Sequence, residues 1–298
     1  MKYQLGQLIV LSSLLVTLGI TNAAAAIIAT DEQNDVLMSI NSVTGDVTEI
    51  GSLTVDTGSF LDFQFIRSIA DVNGTLYGVD VKEDERLVTI DKTNADVSVV
   101  GKLQDPDDST VNFGSVGGLA YDALSNILYG VDEDSLNNDL VRIDPLNGFA
   151  KNIGKTGNAD VRSLAFVDNW LYGVDAINGD LLKIDPSTGA GTLVGSLFGG
   201  ITSKVEALTY DTENGKLLGF DSTSDSLLEI DILTGAASPL VTLSGGGNVL
   251  ISGMVGTLDF ADDSGDIVVV SSPGTWPLLI LGLTIVVAVH RSRFIVRG

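Results

Sequence analysis

Five aspartates recur along the chain at nearly even intervals, each at the end of a similar apolar phrase. Intervals of 49, 52, 43 and 46 residues separate Asp31, Asp80, Asp132, Asp175 and Asp221. Carboxylates brought together from several repeats can coordinate Ca²⁺, a hard cation that prefers oxygen ligands. We therefore take Asp80, Asp132, Asp175 and Asp221 as candidate calcium ligands. The alternative, which the repetition itself favours, is that each aspartate ends a strand and accepts hydrogen bonds from its own turn.

Carboxylates can also hydrolyse glycosides when one acts as acid and another as base or nucleophile. Glu206 is the only glutamate in a predicted opening strand of a repeat, so we expect it to face a central channel. A calcium-dependent lactonase would need unrepeated ligands, whereas the asparagines before the second strands recur as Asn73, Asn126, Asn169 and Asn214. Asparagine at such positions is typical of β-turns. No catalytic set is identified, and a glycosidase-like or lactonase-like hydrolase is the alternative function.

The composition excludes several classes of chemistry. The chain has no cysteine, and its single histidine is His290 near the C-terminus, which leaves no Ser-His-Asp triad or His- or Cys-ligated zinc in the repeats. The formal net charge is −23, and every acidic residue lies between Lys2 and Arg291. Such an acidic surface repels phosphate backbones and favours divalent cations or neutral partners. We therefore expect no nucleic-acid partner.

The repeated phrases predict an all-β fold. Each unit has an apolar strand, a turn, the phrase L-Y-G-V-D, a polar loop, L-x-x-I-D, a turn ending in glycine and a last strand. In the clearest unit the four strands are predicted at residues 161–167, 170–175, 180–185 and 190–197. A period of about 40 to 50 residues with four strands is typical of a β-propeller blade, because a lone twisted sheet must stack on neighbours to bury its faces.

The two ends of the repeat region complement each other. Residues 27–53 supply the later strands of a unit, and residues 255–270 supply opening strands after a flexible lead at 243–253. Combining them makes one composite blade and closes the ring without free edges. The sequence thus predicts a propeller domain over residues 26–270 with five blades. Six blades are possible if residues 266–270 and 27–30 do not compete for one strand position.

Two long connections are natural places for a binding face. They cover residues 103–116 and 53–65 and enlarge two consecutive blade connections. Long loops on a rigid scaffold commonly carry binding function.

The N-terminal segment predicts export. Lys2 precedes an apolar run at residues 8–20 and an alanine-rich site, which together describe a signal peptide over residues 1–25, cut after Ala24 or Ala25. The alternative is an uncleaved N-terminal anchor.

The C-terminal segment, residues 271–298, predicts a membrane-directed helix. Its compact apolar part covers residues 277–289, with Trp276 before it and Arg291 and Arg293 after it. This length is marginal for a full span unless Trp276 lies at one interface and the arginines at the other. The arginines would then remain cytoplasmic while the preceding domain is exported.

The same segment resembles the PEP-CTERM sorting signal, with a short proline motif, a brief hydrophobic helix and an arginine cluster. The residues that carry the resemblance are Pro273, Gly274, Thr275, Trp276, Arg291 and Arg293. Here Ser-Pro-Gly-Thr-Trp-Pro at 272–277 replaces the usual Pro-Glu-Pro. The resemblance implies an exported bacterial protein that an exosortase-type protease processes. A permanent C-terminal anchor is the alternative.

The repeat phrases over residues 27–270 resemble propeller repeats of exported bacterial proteins, including families of unknown function. This resemblance implies a fold and no activity. Together with the export segments it favours a non-catalytic binding or adhesion module at the cell surface or in the extracellular matrix, with a carbohydrate or protein partner.

Overall fold

The structure is a computed structural model that describes residues 26–53, 65–81, 85–108, 110–133, 138–157, 160–199, 204–245 and 249–256. The predicted signal peptide and the predicted sorting segment lie outside these residues. Within the described ranges, no helix has the length and apolar character needed to cross a membrane.

Within the described part of the chain, twenty strands form five antiparallel sheets of four strands each. The first three strands are β1 (Ala26–Asp31), β2 (Val36–Asn41) and β3 (Val47–Ser52). Blade two contains β4 (Ile66–Val72), β5 (Thr75–Asp80), β6 (Arg86–Ile90) and β7 (Val97–Lys102). Blade three contains β8 (Val116–Asp122), β9 (Ile127–Asp132), β10 (Asp139–Ile143) and β11 (Ala150–Lys155).

The remaining strands follow the same plan. Blade four contains β12 (Val161–Val167), β13 (Trp170–Asp175), β14 (Asp180–Ile184) and β15 (Gly191–Ser196). Blade five contains β16 (Val205–Asp211), β17 (Lys216–Asp221), β18 (Ser226–Ile230) and β19 (Ala237–Thr242). The last strand, β20 (Ile251–Val255), joins β1, β2 and β3 as blade one.

The first strand of each blade lies at the centre of a closed ring. Strands β20, β4, β8, β12 and β16 contact one another in that order, and β16 contacts β20 again. Buried apolar side chains fill the spaces between neighbouring blades, for example Ile66 and Leu76 against Ile28. The predicted five-bladed propeller is therefore confirmed, and the six-bladed alternative is wrong.

The closing strand differs from the prediction in position. We expected residues 255–270 to open the composite blade after a flexible lead at 243–253, but β20 begins at Ile251 within that lead and ends at Val255. It pairs antiparallel with β1, with Ala29 opposite Met254 and Ile28 opposite Val255. The physical reason is that ISGMV places apolar residues at the same positions as IRSIA of β4, so it fills the same inner site.

The turns between third and fourth strands are built as the sequence predicts. The carboxylate of Asp185 accepts a hydrogen bond of 2.8 Å from the backbone N–H of Ser187, and Gly189 has a φ of 78° that glycine adopts readily. This turn also contacts the preceding blade. A Cβ atom added to Gly154 of β11 would lie 2.2 Å from the carbonyl oxygen of Thr188. The glycines near the ends of the fourth strands are thus required by close contact between blades.

Candidate functional site

The repeated aspartates end the second strand of each blade and are buried. Asp175 accepts hydrogen bonds from the N–H of Ile177 (3.0 Å) and the side chain of Asn178 (2.8 Å), both in its own turn. Asp221 accepts equivalent bonds from Thr223 and Ser224, and Asp31 from Gln33. The turn-capping interpretation is confirmed for these three residues.

The other two repeated aspartates are also buried at strand ends. The carboxylate of Asp80 forms a 2.8 Å ion pair with Arg86, and Asp132 lies at the end of β9. Among the described residues, no three acidic, histidine or cysteine side chains come close enough to hold one metal ion. The structure therefore does not gather Asp80, Asp132, Asp175 and Asp221 around a common point, and Ca²⁺ binding by the protein stays a prediction.

A charged cluster lies at one end of the central channel, and we call it the channel mouth. Five of its residues stand at the second position of the central strands, and the other two are glutamates that directly follow a repeated aspartate. The lining residues are Glu32, Arg67, Gly117, Glu133, Arg162, Glu206 and Ser252. The cavity between them has a volume of about 40 Å³. Glu206 therefore faces the channel, as expected from its place in the opening strand.

Ion pairs cross the channel mouth between blades. The guanidinium of Arg67 donates to Glu133 at 2.9 Å and lies 3.6 Å from Glu32, which links blades one, two and three. Arg162 pairs with Asp160 at 2.9 Å and lies 3.7 Å from Glu206 of blade five. Two guanidinium groups are thus shared among four carboxyl groups at this end of the ring.

Glu133 is the most perturbed group of the mouth. Burial raises the pKa of its carboxyl to about 7, even though the neighbouring Arg67 and Arg162 act to lower it. The backbone explains its position, because the N–H of Glu133 donates to the carbonyl oxygen of Ser115 at 2.9 Å, next to the inner strand. Its side chain lies against Gly117, where a Cβ atom would be 1.9 Å from Oε1. A larger residue at 117 would displace this carboxylate.

Apolar side chains follow the charged mouth along the central strands. The fourth residue of every inner strand is buried and lines a second cavity of about 260 Å³ further along the strands: Ile69, Leu119, Leu164, Leu208 and Met254. Each of these five side chains also packs into one of the apolar clusters between blades.

A wider depression lies between blades two and three at their hairpin ends, and we call it the inter-blade groove. Its volume is about 620 Å³. The β4–β5 hairpin of blade two forms one wall with Asn73 and Tyr77, and the β10–β11 end of blade three forms the other. That second wall runs over residues 142–151.

The connection over residues 103–116 completes the groove. Pro106 lines it, and the neighbouring Asp107 forms an ion pair with Lys151 of β11. The backbone of Gln104 is bridged to Phe149, and its carbonyl oxygen accepts from the N–H of Ala150 at 2.9 Å. This connection is one of the two in which we expected a binding face. Most of the other, residues 54–64, lies outside the described part of the chain.

The groove was not predicted from the sequence, although two of its residues were noted. Asn73 and Asn126 have positive φ angles of 52° and 56°, which confirms their assignment to turns. Their side chains also share one partner, since Asn73 Nδ2 donates to the hydroxyl of Tyr121 at 2.8 Å and that hydroxyl donates to Asn126 Oδ1 at 2.6 Å. The turn residues of two blades are thus joined at the edge of the groove.

The comparison with protein families identifies the repeats. A family described as a repeat of unknown function (DUF6923) matches residues 71–249. The chain belongs to this family. The matched DUF6923 region runs from the end of β4 to just before β20, so it covers nearly all of blades two to five.

No curated protein matches the DUF6923 chain in sequence. Among solved structures, a nidogen/laminin complex contains a chain with 18% identity and a TM-score of 0.49, covering 79% of this chain and 86% of that one. A structural genomics protein of unknown function from Bacteroides thetaiotaomicron has 16% identity and a TM-score of 0.47, covering 72% of this chain and 50% of the other.

A third similar structure is the extracellular domain of a protein assigned to the one-component systems of B. thetaiotaomicron. It has 16% identity and a TM-score of 0.38, and the match covers 76% of this chain and 27% of that chain. The DUF6923 chain thus spans about half and about a quarter of the two Bacteroides proteins.

Proposed function

We propose that this protein is an exported, non-catalytic binding module that presents the inter-blade groove to a carbohydrate or protein partner at the cell surface or in the extracellular matrix. The observation that carries the proposal is the contrast between the two depressions. The groove is wide, with a volume of about 620 Å³, whereas the channel mouth holds about 40 Å³ among paired charges. Ligand sites are usually concave, mostly apolar and of several hundred Å³.

The lining of the groove supports binding better than catalysis. It combines the aromatic rings of Tyr77 and Phe149 with the side chains of Asn73, Arg142 and Asp144. Asp144 already accepts hydrogen bonds from the N–H of Leu146 (2.9 Å) and the side chain of Asn147 (2.8 Å). The Asp144 carboxylate is held in place by its own turn, which suits recognition of a ligand. Hydrolysis of a glycoside would need a second carboxylate opposite Asp144.

The proposal is tested by comparing variants at the two depressions. We would measure capture of the full-length chain by immobilised glycans and surface proteins, using Phe149→Ala for the groove and Glu206→Gln for the channel mouth. We expect Phe149→Ala to weaken capture and Glu206→Gln to leave it unchanged. The opposite pattern would contradict the groove as the binding face.

Export is a separate part of the proposal and rests on the two ends of the chain. The leader over residues 1–25 and the PEP-CTERM-like segment with Pro273 and Arg291 support it. N-terminal sequencing of the mature protein tests the first step, and we expect a new terminus at Ala25 or Ala26. A mature protein that still begins at Met1 would contradict cleavage. A C-terminal mass that ends before Pro277 would support exosortase-type processing over a permanent anchor.

A second candidate function has one observation in its favour, which is the raised pKa of Glu133 at about 7. A carboxyl group that keeps its proton near neutral pH can act as a general acid beside the second carboxylate of Glu32. This hydrolase would have to admit its substrate to a mouth of about 40 Å³ that Arg67 crosses. Loss of a measured glycosidase or lactonase activity in Glu133→Gln, with the fold intact, would favour it.

A further inference from the structure

We propose that the inter-blade groove binds a neutral oligosaccharide, with apolar side chains contacting the faces of the sugar rings and amides bonding to their hydroxyls. This inference rests on the proposed function, because it names the ligand class of the same groove. Four features of the groove support this inference: its apolar surface, its paired amides, its charge balance and the backbone hydrogen bonds already made at the start of β11.

The apolar surface lies at the β10–β11 end of blade three. Leu146 is 85% exposed and Phe149 is 38% exposed, and both line the groove with Pro145. Tyr77 of blade two faces the same depression and is only partly buried. Sugar rings present apolar C–H faces beside their hydroxyls, so flat apolar and aromatic walls remove those faces from water.

The amides of Asn73 and Asn126 supply one acceptor and one donor. The hydroxyl of Tyr121 accepts a hydrogen bond from the Nδ2 of Asn73 and donates one to the Oδ1 of Asn126, which fixes both side chains. This arrangement leaves the Oδ1 of Asn73 to accept and the Nδ2 of Asn126 to donate at an exposed edge. Neighbouring sugar hydroxyls both donate and accept, and they match such a pair. A fixed pair also loses little conformational entropy on binding.

The charges near the groove select a neutral ligand. Lys151 is paired with Asp107, while Arg142 and Asp144 add one charge of each sign to the lining. The guanidinium of Arg142 is exposed and forms no ion pair or hydrogen bond with any described residue, so its N–H groups can donate to hydroxyl oxygens. The protein as a whole carries a net charge of −23, which disfavours a polyanionic glycan.

The start of β11 is already bonded to the connection that lines the groove, and this argues against a peptide strand added at that point. The carbonyl oxygen of Gln104 accepts from Ala150 at the start of β11, and the N–H of Asp105 donates to Val111 at 3.0 Å. An extended peptide gains most of its affinity from free main-chain groups at a sheet edge. Side chains, rather than the backbone at the start of β11, are therefore the groups that this part of the groove offers, and they suit a sugar.

The chain offers a matched pair of variants for the test. Leu146 and Leu233 occupy the same turn position in blades three and five, with exposures of 85% and 84%. Each donates its N–H to the aspartate two residues before it, Asp144 and Asp231, at 2.9 Å and 2.7 Å. Leu146 lines the inter-blade groove and Leu233 does not. Leu146→Ala and Leu233→Ala therefore remove the same side chain from the same local structure.

The probes are neutral hexose oligosaccharides, uronate-containing oligosaccharides of equal length and a tripeptide library, titrated into the full-length chain by calorimetry. We expect saturable binding of a neutral oligosaccharide that weakens about tenfold in Leu146→Ala and in Arg142→Ala, and is unchanged in Leu233→Ala. Far-ultraviolet circular dichroism confirms that each variant is folded.

The other outcomes separate this inference from the proposed function. Tighter binding of peptides or uronates that still weakens in Leu146→Ala would overturn the neutral-sugar inference and leave the groove as a binding face. Equal losses of affinity in Leu146→Ala and Leu233→Ala would overturn both the neutral-sugar inference and the groove as a binding face. The same conclusion would follow if no probe bound and Phe149→Ala caused no loss of surface capture.

Discussion

Replacing Glu133 by glutamine should flatten the dependence of stability on pH. Burial raises the pKa of the Glu133 carboxyl from 4.5 to about 7, and only 13% of its side chain is exposed. Because the folded state holds the proton more tightly than the unfolded state, this group favours folding most below pH 4.5. That contribution is lost as the pH rises through 7.

The size of the effect follows from the difference between the two pKa values. One unit corresponds to about 1.4 kcal/mol, so a shift from 4.5 to about 7 amounts to about 3 kcal/mol, most of it lost between pH 5 and pH 8. Several exposed aspartates, such as Asp185, have pKa values that hydrogen bonds lower. Their contribution is lost as the pH falls, below the window in which Glu133 acts.

Urea denaturation at half-unit steps from pH 5 to pH 8 measures this dependence. The wild-type protein should lose about 2 to 3 kcal/mol more than Glu133→Gln over this range. Glu213→Gln, on the exposed turn after β16, is the control and should follow the wild type. Parallel curves for the wild type and Glu133→Gln would refute the buried, protonated carboxyl at the channel mouth.

Three further predictions concern the ring and its metal dependence. Gly195→Ala should lower the free energy of unfolding by about 1 to 3 kcal/mol or more, because its Cβ would lie 2.0 Å from the carbonyl oxygen of Thr234; an effect no larger than that of Thr192→Ala would contradict the contact. A chain ending at residue 248 should lose its cooperative thermal transition because it lacks β20, while a chain ending at Gly256 should keep it; equal behaviour would contradict closure by β20. If cations relieve the repulsion between acidic side chains, Ca²⁺ should raise the melting temperature and a chelator should lower it. Identical melting curves would contradict stabilisation by Ca²⁺.

The fold was predictable because its strand pattern and its turn pattern are both strong in the sequence. Period-two strands and turns with Asp, Asn and Gly recur in every unit, as in the turn from Asp185 to Gly189. The closing strand was misplaced because ISGMV stands alone, without the L-Y-G-V-D phrase that marks the other units. Its identity as β20 depends on pairing with β1, more than 200 residues earlier, as in the 219-residue separation between Leu250 and Asp31. Local patterns carry no information about such a contact.

The candidate sites were harder to predict than the fold. The sequence indicates Glu206 because it is the only glutamate in an opening strand of a repeat. Comparing the residues that follow each repeated aspartate in the same way would have indicated Glu32 and Glu133. The ion pairs of Arg67 join residues up to 66 positions apart and depend on the closed ring. The inter-blade groove likewise forms only when Asn73 meets Tyr121 of the next blade.

The exposure of Trp170 does not follow from its place in a strand. In the structure 38% of this residue is exposed, and the ammonium of Lys183 lies 4.1 Å from its ring centroid. Trp170 begins β13 at the hairpin end of blade four, and Lys183 belongs to the neighbouring strand β14.

Hydrogen–deuterium exchange with bound ligand tests most directly whether the groove is the functional face of the ring. The full-length chain would be labelled with and without a saturating neutral oligosaccharide, or with whichever probe binds best in calorimetry. We predict that protection appears in peptides covering residues 72–77 and 142–151, while peptides carrying Arg67, Glu133 and Arg162 are unchanged. Protection confined to those channel-mouth peptides would contradict the groove and favour a site at the centre of the ring.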